Sequence, residues 1–339
     1  MASMGAPNQA EGPAEGDAPP PAAAQRRRAR DTVGRRETPP RPFLGFLGLV
    51  GLRLAALLPR RVAYAVGGGA GWLASFLPTR EKLATRVNLE ICFPELSGRE
   101  RQRLARASFA ETGRTLVELG AMWCWGRERI LGLVHEVRGE ECLKEALAHG
   151  KGAIMVMPHL GSWELTGLYC GSRYPITALY RPPRVREMEA IYTKSRERFG
   201  GEAVPAGPAG VRAIYSALRR GELTTVLPDQ DPGRGAGIFV PFFGFPANTS
   251  SLLSRLAQRS GAPVIFAYSQ RRARGDGFTI HFTPGAAQIH DPDLETSVAA
   301  VNREVERCIR ANPTQYLWSY KRFRFQPDRQ LSPYKRAGA

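Results

Sequence analysis

From residue 153 onward, short apolar runs alternate with segments of helical period, and this limits the fold more than any other feature. Residues 153–157, 176–180, 223–227, 264–268 and 278–282 read as strands, with a short one at Val204. Residues 162–170, 184–199, 210–219, 248–258 and 294–309 read as helices. Strands separated by helices of this length predict an α/β domain with a central, mostly parallel sheet flanked by helices. In such sheets chemistry gathers just beyond the carboxyl ends of the strands.

Residues 79–136 carry a helical pattern instead. Ser97 is placed to cap a helix whose broad stripe contains Leu104, Ala107, Phe109, Leu116, Val117 and Leu119. Ahead of it lie two apolar stretches, 43–58 and 62–77. Both fall short of the roughly 20 residues a spanning helix needs. Arg53 interrupts the first, and Gly67, Gly68 and Gly69 weaken the second. They predict a membrane-anchoring segment that dips into one leaflet, with Arg53, Arg60 and Arg61 reaching headgroup phosphates. Two buried core helices fit the same lengths. Residues 1–42, rich in Pro and Ala, have too little apolar surface to order, and their basic run at 26–28 sits too far in for an export signal. The expected organisation is a tail at 1–42, an anchor at 43–78, a domain at 79–330 with its α/β core from 137, and a second tail at 331–339.

Lys and Arg number 48 against 31 Asp and Glu, a formal charge of +17. Such a chain attracts nucleic acid, anionic lipid or an acidic protein. Residues 320–325 interleave aromatic and basic side chains, which suits base stacking. An interfacial segment fits them better beside the two apolar stretches, so no nucleic-acid partner is expected. The five cysteines are widely spaced, with no CxxC pair, which argues against a disulfide framework or a cysteine-built metal site and fits a reducing compartment. No phosphate-binding GxxxxGK[ST] loop, dinucleotide fingerprint or GxSxG elbow occurs. No cofactor and no metal are therefore expected.

The chemistry-bearing segment is Met155-Val156-Met157-Pro158-His159-Leu160-Gly161-Ser162-Trp163-Glu164, at the end of a predicted strand. Ser162 is a natural helix N-cap, which puts the Glu164 carboxylate in a first turn that the helix dipole favours. A loop here can fold His159 back onto Glu164, giving a histidine base oriented by a carboxylate. A capped helix with a satisfied histidine fits the same residues.

His159 to Glu164 resembles the H-x4-[DE] block of glycerolipid acyltransferases, in the glutamate form of the late acyltransferases of lipid A biosynthesis. Tyr180-Arg181-Pro182, Pro228-Asp229-Gln230-Asp231, Phe239-Val240-Pro241-Phe242-Phe243 and Tyr316-Leu317-Trp318 with Arg322-Phe323 resemble further blocks of that family, in order, across residues 43–325. The resemblance implies an acyltransferase in which His159 is the general base, Glu164 its partner, and Arg196 and Asp229 further active-site residues. It extends substrate contacts to Asp231, Trp318 and Arg322. It also implies an acyl carrier protein as donor, a phosphorylated lipid A precursor bearing Kdo sugars as acceptor, and a place on the cytoplasmic side of the inner membrane. Acidic carriers and phosphates give Arg181, Arg184 and Arg186 natural partners. Donors for the reaction's oxyanion are expected from Arg196 or from backbone N–H groups near Gly161. An acceptor of another kind, such as a mannosylated phosphatidylinositol, fits the same blocks.

Overall fold

The computed structural model describes residues 42–180 and 194–338. The tail predicted at 1–42 lies outside the described residues but for its last position, and so does most of the helix expected at 184–199, of which 194–197 are helical. The strands are β1 (Val134–Arg138), β2 (Ala153–Val156), β3 (Ile176–Tyr180), β4 (Gly201–Pro205), β5 (Leu223–Val226), β6 (Ile238–Phe242), β7 (Phe245–Thr249), β8 (Val264–Arg271) and β9 (Phe278–Pro284). The α-helices are α1 (Pro42–Leu57), α2 (Arg60–Ala74), α3 (Arg80–Cys92), α4 (Gly98–Cys124), α5 (Arg127–Leu131), α6 (Glu140–Ala148), α7 (Trp163–Gly171), α8 (Pro208–Arg219), α9 (Leu252–Ser260), α10 (Leu294–Ala311) and α11 (Pro333–Arg336).

Seven strands form one sheet in the order β1-β9-β8-β2-β5-β3-β4. All neighbours are parallel except β8 and β9, so β1 and β9 run against the rest. β2 lies between β5 and β8 and is buried at every position, as a strand covered on both faces should be. Its period of two sends Ile154 and Val156 into a cluster with Ile214, Leu256 and Val301 of α8, α9 and α10. Ala153 and Met155 face Leu143, Ala146 and Tyr169 of α6 and α7. The result is a layer of helices on each face.

Two boundaries differ from expectation. The helical stretch expected to reach 136 stops earlier, because Val134–Arg138 is β1, paired along β9. Gly132 and Gly139 punctuate it, and Gly139 takes a φ of 73° that other residues avoid. The expected start of the α/β core at 137 falls inside this strand. The helix expected from 248 begins at Leu252, since Asn248 and Thr249 complete β7, paired with β6. Phe243 and Gly244, both at positive φ, make the two-residue turn of that hairpin. The last residues also pack in: Tyr334 is buried, and its hydroxyl bonds Asn88 and the Phe323 N–H.

α4 starts on a capping box, Ser97 with Glu100. α2 lies on it through glycines. A Cβ on Gly113 would collide with the Gly67 carbonyl oxygen, and one on Gly71 with that of Phe109. The opposite face of α2 and its C-terminal extension expose Val62, Val66, Leu73, Phe76 and Leu77. α2 is thus half core helix and half exposed apolar surface. Among the described residues no helix is long and apolar enough to cross a membrane. Gly113→Val should separate α2 from α4 at about 1–3 kcal/mol, the usual cost of overpacking. It would show as a lower thermal midpoint and earlier proteolysis near residue 60. An unchanged midpoint would mean the two helices slide apart freely.

Candidate active site

The parallel pairing of β2 with β5 puts Val156 opposite Val226. Each strand then continues through two residues, the second a proline, to a polar side chain: Val156-Met157-Pro158-His159 and Val226-Leu227-Pro228-Asp229. His159 and Asp229 therefore stand at matching positions beyond the carboxyl edge of the sheet. The His159 Nδ1 lies 2.8 Å from Asp229 Oδ1, and the His159 backbone N–H donates to Oδ2 at 2.9 Å. Burial pushes the Asp229 carboxyl up, but the His159 ring and backbone N–H outweigh it and hold the group below its ordinary value. Burial, followed by the negative charge of Asp229, raises the Tyr316 phenol well above its usual range.

A carboxylate only accepts, so in the neutral imidazole the proton sits on Nδ1 and Nε2 carries the lone pair. The Gln230 amide nitrogen faces Nε2 at 3.2 Å and donates to it. Asp229 is 1% exposed and His159 15%, so the carboxylate is sealed while the ring remains reachable. Trp163 flanks the ring with centroids 5.1 Å apart. This arrangement suits a base, with the proton fixed on Nδ1 and the lone pair of Nε2 turned toward Gln230.

Glu164 does not orient His159. It is buried and receives the Arg196 guanidinium side-on, Nη2 to Oε2 at 3.1 Å and Nε to Oε1 at 3.3 Å. The one expected pair is thus replaced by two: His159 goes with Asp229, and Glu164 with Arg196. The physical reason is the loop between them. Gly161, at φ 62°, presses against β8, where a Cβ would strike the Ser269 carbonyl. The Ser162 N–H donates to Ser269, the Gly161 N–H to Gln315, and the Leu317 N–H to His159. The loop is stapled flat, and the backbone donors expected near Gly161 for an oxyanion are already bonded. Ser162 occupies the N-cap position of α7, yet its side chain makes no capping bond.

The other expected contacts hold structure together. Asp231 Oδ1 accepts from the Gly233 N–H at 2.8 Å and from Asn248 at 2.9 Å, tying the loop after β5 to the hairpin. Arg322 is 2% exposed and donates to the Asn248 carbonyl and the Thr249 hydroxyl, each at 2.6 Å. Trp318 is 1% exposed among Phe93, Phe243 and Tyr316, and Phe323 is fully buried. Neither Trp318 nor Arg322 faces open space. Arg181, Arg184 and Arg186 lie outside the described residues. Gln230, Tyr316 and Trp163 were not foreseen. The repeated strand–proline–polar pattern at His159 and Asp229 is the signal that reveals the first pair. Among the described residues no three His, Cys, Asp or Glu side chains converge to hold a metal.

The chain is also similar to known proteins. The sequence model of the bacterial lipid A biosynthesis acyltransferases matches residues 35–325. The chain is 35% identical over 300 residues to a lipid A biosynthesis palmitoleoyltransferase of Escherichia coli K12, covering 87% of this chain and 95% of that protein. It is 33% identical to the lauroyltransferase of the same organism, covering 85% and 94%, and 25% identical to its myristoyltransferase, covering 88% and 92%.

Proposed function

The chain belongs to the bacterial lipid A biosynthesis acyltransferases, and from that premise we propose that it moves a fatty acyl chain from an acyl carrier protein thioester to a hydroxyl of a Kdo-bearing lipid A precursor. The observation that carries this is the Asp229–His159–Gln230 line, which presents a basic nitrogen at the edge of the sheet.

The acceptor hydroxyl displaces the Gln230 amide and gives its proton to His159 Nε2 as its oxygen attacks the thioester carbonyl. Asp229 holds the imidazolium that results. The tetrahedral oxyanion collapses, the carbon–sulfur bond breaks, and the proton on Nε2 passes to the departing thiolate. One ester and one thiol form from one alcohol and one thioester. Arg196, aimed by Glu164, supplies positive charge for the oxyanion, and the first-turn N–H groups of α7, which carries no side-chain cap, add to it. No cofactor is required.

Arg196 stands on a short helical stretch whose neighbours Lys194, Ser195 and Arg198 line a pocket of about 750 Å³. Leu52, Ala56, Leu57, Trp123 and Trp125 give it apolar walls, which suits a fatty chain. The exposed apolar face of α2 suits a membrane surface, with the site on the cytoplasmic side of the inner membrane where acyl carrier protein is found.

The test is incubation of the purified protein with acyl carrier protein thioester and a Kdo-lipid A precursor, followed by mass spectrometry. The acceptor should gain one acyl unit as thiol is released in equal amount. Thiol release without acylated lipid would make the protein a thioesterase. Reversing Arg184 and Arg186 to Glu should raise the KM for the carrier donor several-fold, with little change at saturation. An equal loss at saturating donor would remove those arginines from docking.

A further inference from the structure

We propose that a second pocket, on the hairpin side of the loop after β5, binds a phosphate monoester and holds the sugar phosphate of the acceptor. The choice of acceptor rests on the acyl-transfer reading above. The pocket encloses about 650 Å³ between the β6–β7 hairpin and the C-terminal segment. Arg234, Lys321, Arg324 and Lys335 line it against one carboxylate, Asp328. Among the described residues none of these five side chains forms an ion pair.

Three of the cations are held on aromatic rings. The guanidinium carbons of Arg234 and Arg324 lie 5.1 and 5.2 Å from the centroid of one ring, Phe325. The Lys321 ammonium lies 5.6 Å from the ring of Tyr334, itself fixed by hydrogen bonds. Such contacts contribute roughly 0.5–1 kcal/mol each and do not neutralise the charge. Two like-charged guanidinium groups on one ring are thus gathered without a counterion. A group with several acceptor oxygens in the pocket that both line would give their forked donors acceptors.

Charge and shape select the ligand. Four cations and one carboxylate match a phosphate monoester, which carries about −1.5 to −2 at neutral pH, better than the single charge of a phosphodiester. A concave site receives a group, whereas the acidic face of a carrier protein needs an open one. The pocket also adjoins the catalytic loop. Asn248 lines it and donates both to Asp231, two residues beyond Asp229, and to the carbonyl of Gly233, next to Arg234. A phosphate here would place an acceptor beside the base that deprotonates it.

The test uses the full chain and the double variant Arg234→Ala, Arg324→Ala, with circular dichroism to show that the fold is kept. For the phosphorylated acceptor the variant should raise KM roughly tenfold with kcat unchanged, on the scale of lost charge-assisted hydrogen bonds. With the same acceptor after phosphatase treatment, wild type and variant should agree. An equal rise for both acceptors would overturn the proposal. So would a rise in donor KM alone, which points to the phosphodiester of the carrier arm, or loss of binding to anionic vesicles with acceptor KM unchanged, which points to a lipid headgroup. A separate arm needs no acyl transfer: glucosamine 1-phosphate should bind wild type in calorimetry, and neither glucosamine to wild type nor the phosphate to the variant should. If that binding holds while transfer fails, the pocket stands and the acyl-transfer reading falls. If wild type does not bind the sugar phosphate, the pocket proposal itself is lost.

Discussion

Asp229→Asn is expected to lower kcat/KM by roughly 10³–10⁴-fold, the scale seen when a catalytic histidine is held in the wrong tautomer. The effect follows from two contacts. Asp229 accepts the backbone N–H of His159 with one oxygen and the ring Nδ1 proton with the other. An amide has one oxygen. The backbone N–H can only donate, so the Asn oxygen turns to it and the amide NH2 faces Nδ1. That nitrogen then becomes an acceptor, and the proton moves to Nε2, where the lone pair should be. The Gln230 amide can flip to accept it, which locks the ring as a donor. Steady-state assays with both substrates would show the loss mainly in kcat. A loss under tenfold would mean that Asp229 does not set the tautomer. Stability supplies a second readout. The Asp229 carboxyl titrates below its unfolded value, so its contribution is present above about pH 4 and is lost as pH falls through the folded value. The variant should therefore unfold in acid with a shallower loss over that range than wild type.

The strands were legible because they are short apolar runs cut off by Pro, Gly or charge, and the position of His159 followed from one of them. Its partner was not legible. Glu164 is five residues away in sequence, whereas Asp229 is 70 away and becomes a neighbour only once β2 and β5 are known to pair in register. Local spacing favoured the wrong carboxylate. The edge strand β1 escaped notice for a related reason: Val134 and Val137 do not alternate, and its pairing partner β9 lies far along the chain. The C-terminal stretch misled through composition. Aromatic and basic residues side by side look interfacial, yet Arg322 is buried because the Asn248 carbonyl, the Thr249 hydroxyl and Asn302 accept from its two terminal nitrogens, and its charge sits against the Phe242 ring, although its Nε–H has no partner among the described residues. A sequence shows that an arginine is charged, but only the fold shows whether its partners are inside.

Arg271 makes the same point at larger energy, and Arg271→Met is expected to destabilise the protein by about 3–5 kcal/mol, the cost of breaking a buried charge network by removing one member. The side chain ends β8 and is 2% exposed. It donates to both carboxylate oxygens of Glu118, at 2.5 and 2.6 Å, to Glu111 and to the Thr115 hydroxyl at 3.0 Å. Glu111, Thr115 and Glu118 all project from α4, so this one guanidinium fastens the helical lead-in to the sheet. Gln315 grips the Arg271 backbone, its side chain accepting the N–H and donating to the carbonyl, while its own carbonyl receives the Gly161 N–H. The same few residues therefore connect the helical layer to the loop that carries His159. Without the guanidinium, Glu118 is left buried and unpaired, and Glu111 keeps only Arg114. Urea unfolding at neutral pH should show the deficit directly. Neutralising the whole cluster, Arg271→Met with Glu111→Gln and Glu118→Leu, should recover most of the loss, because no unpaired charge remains. A single variant that costs under 1 kcal/mol would show that water reaches the cluster and that α4 is held to the sheet by its apolar contacts alone.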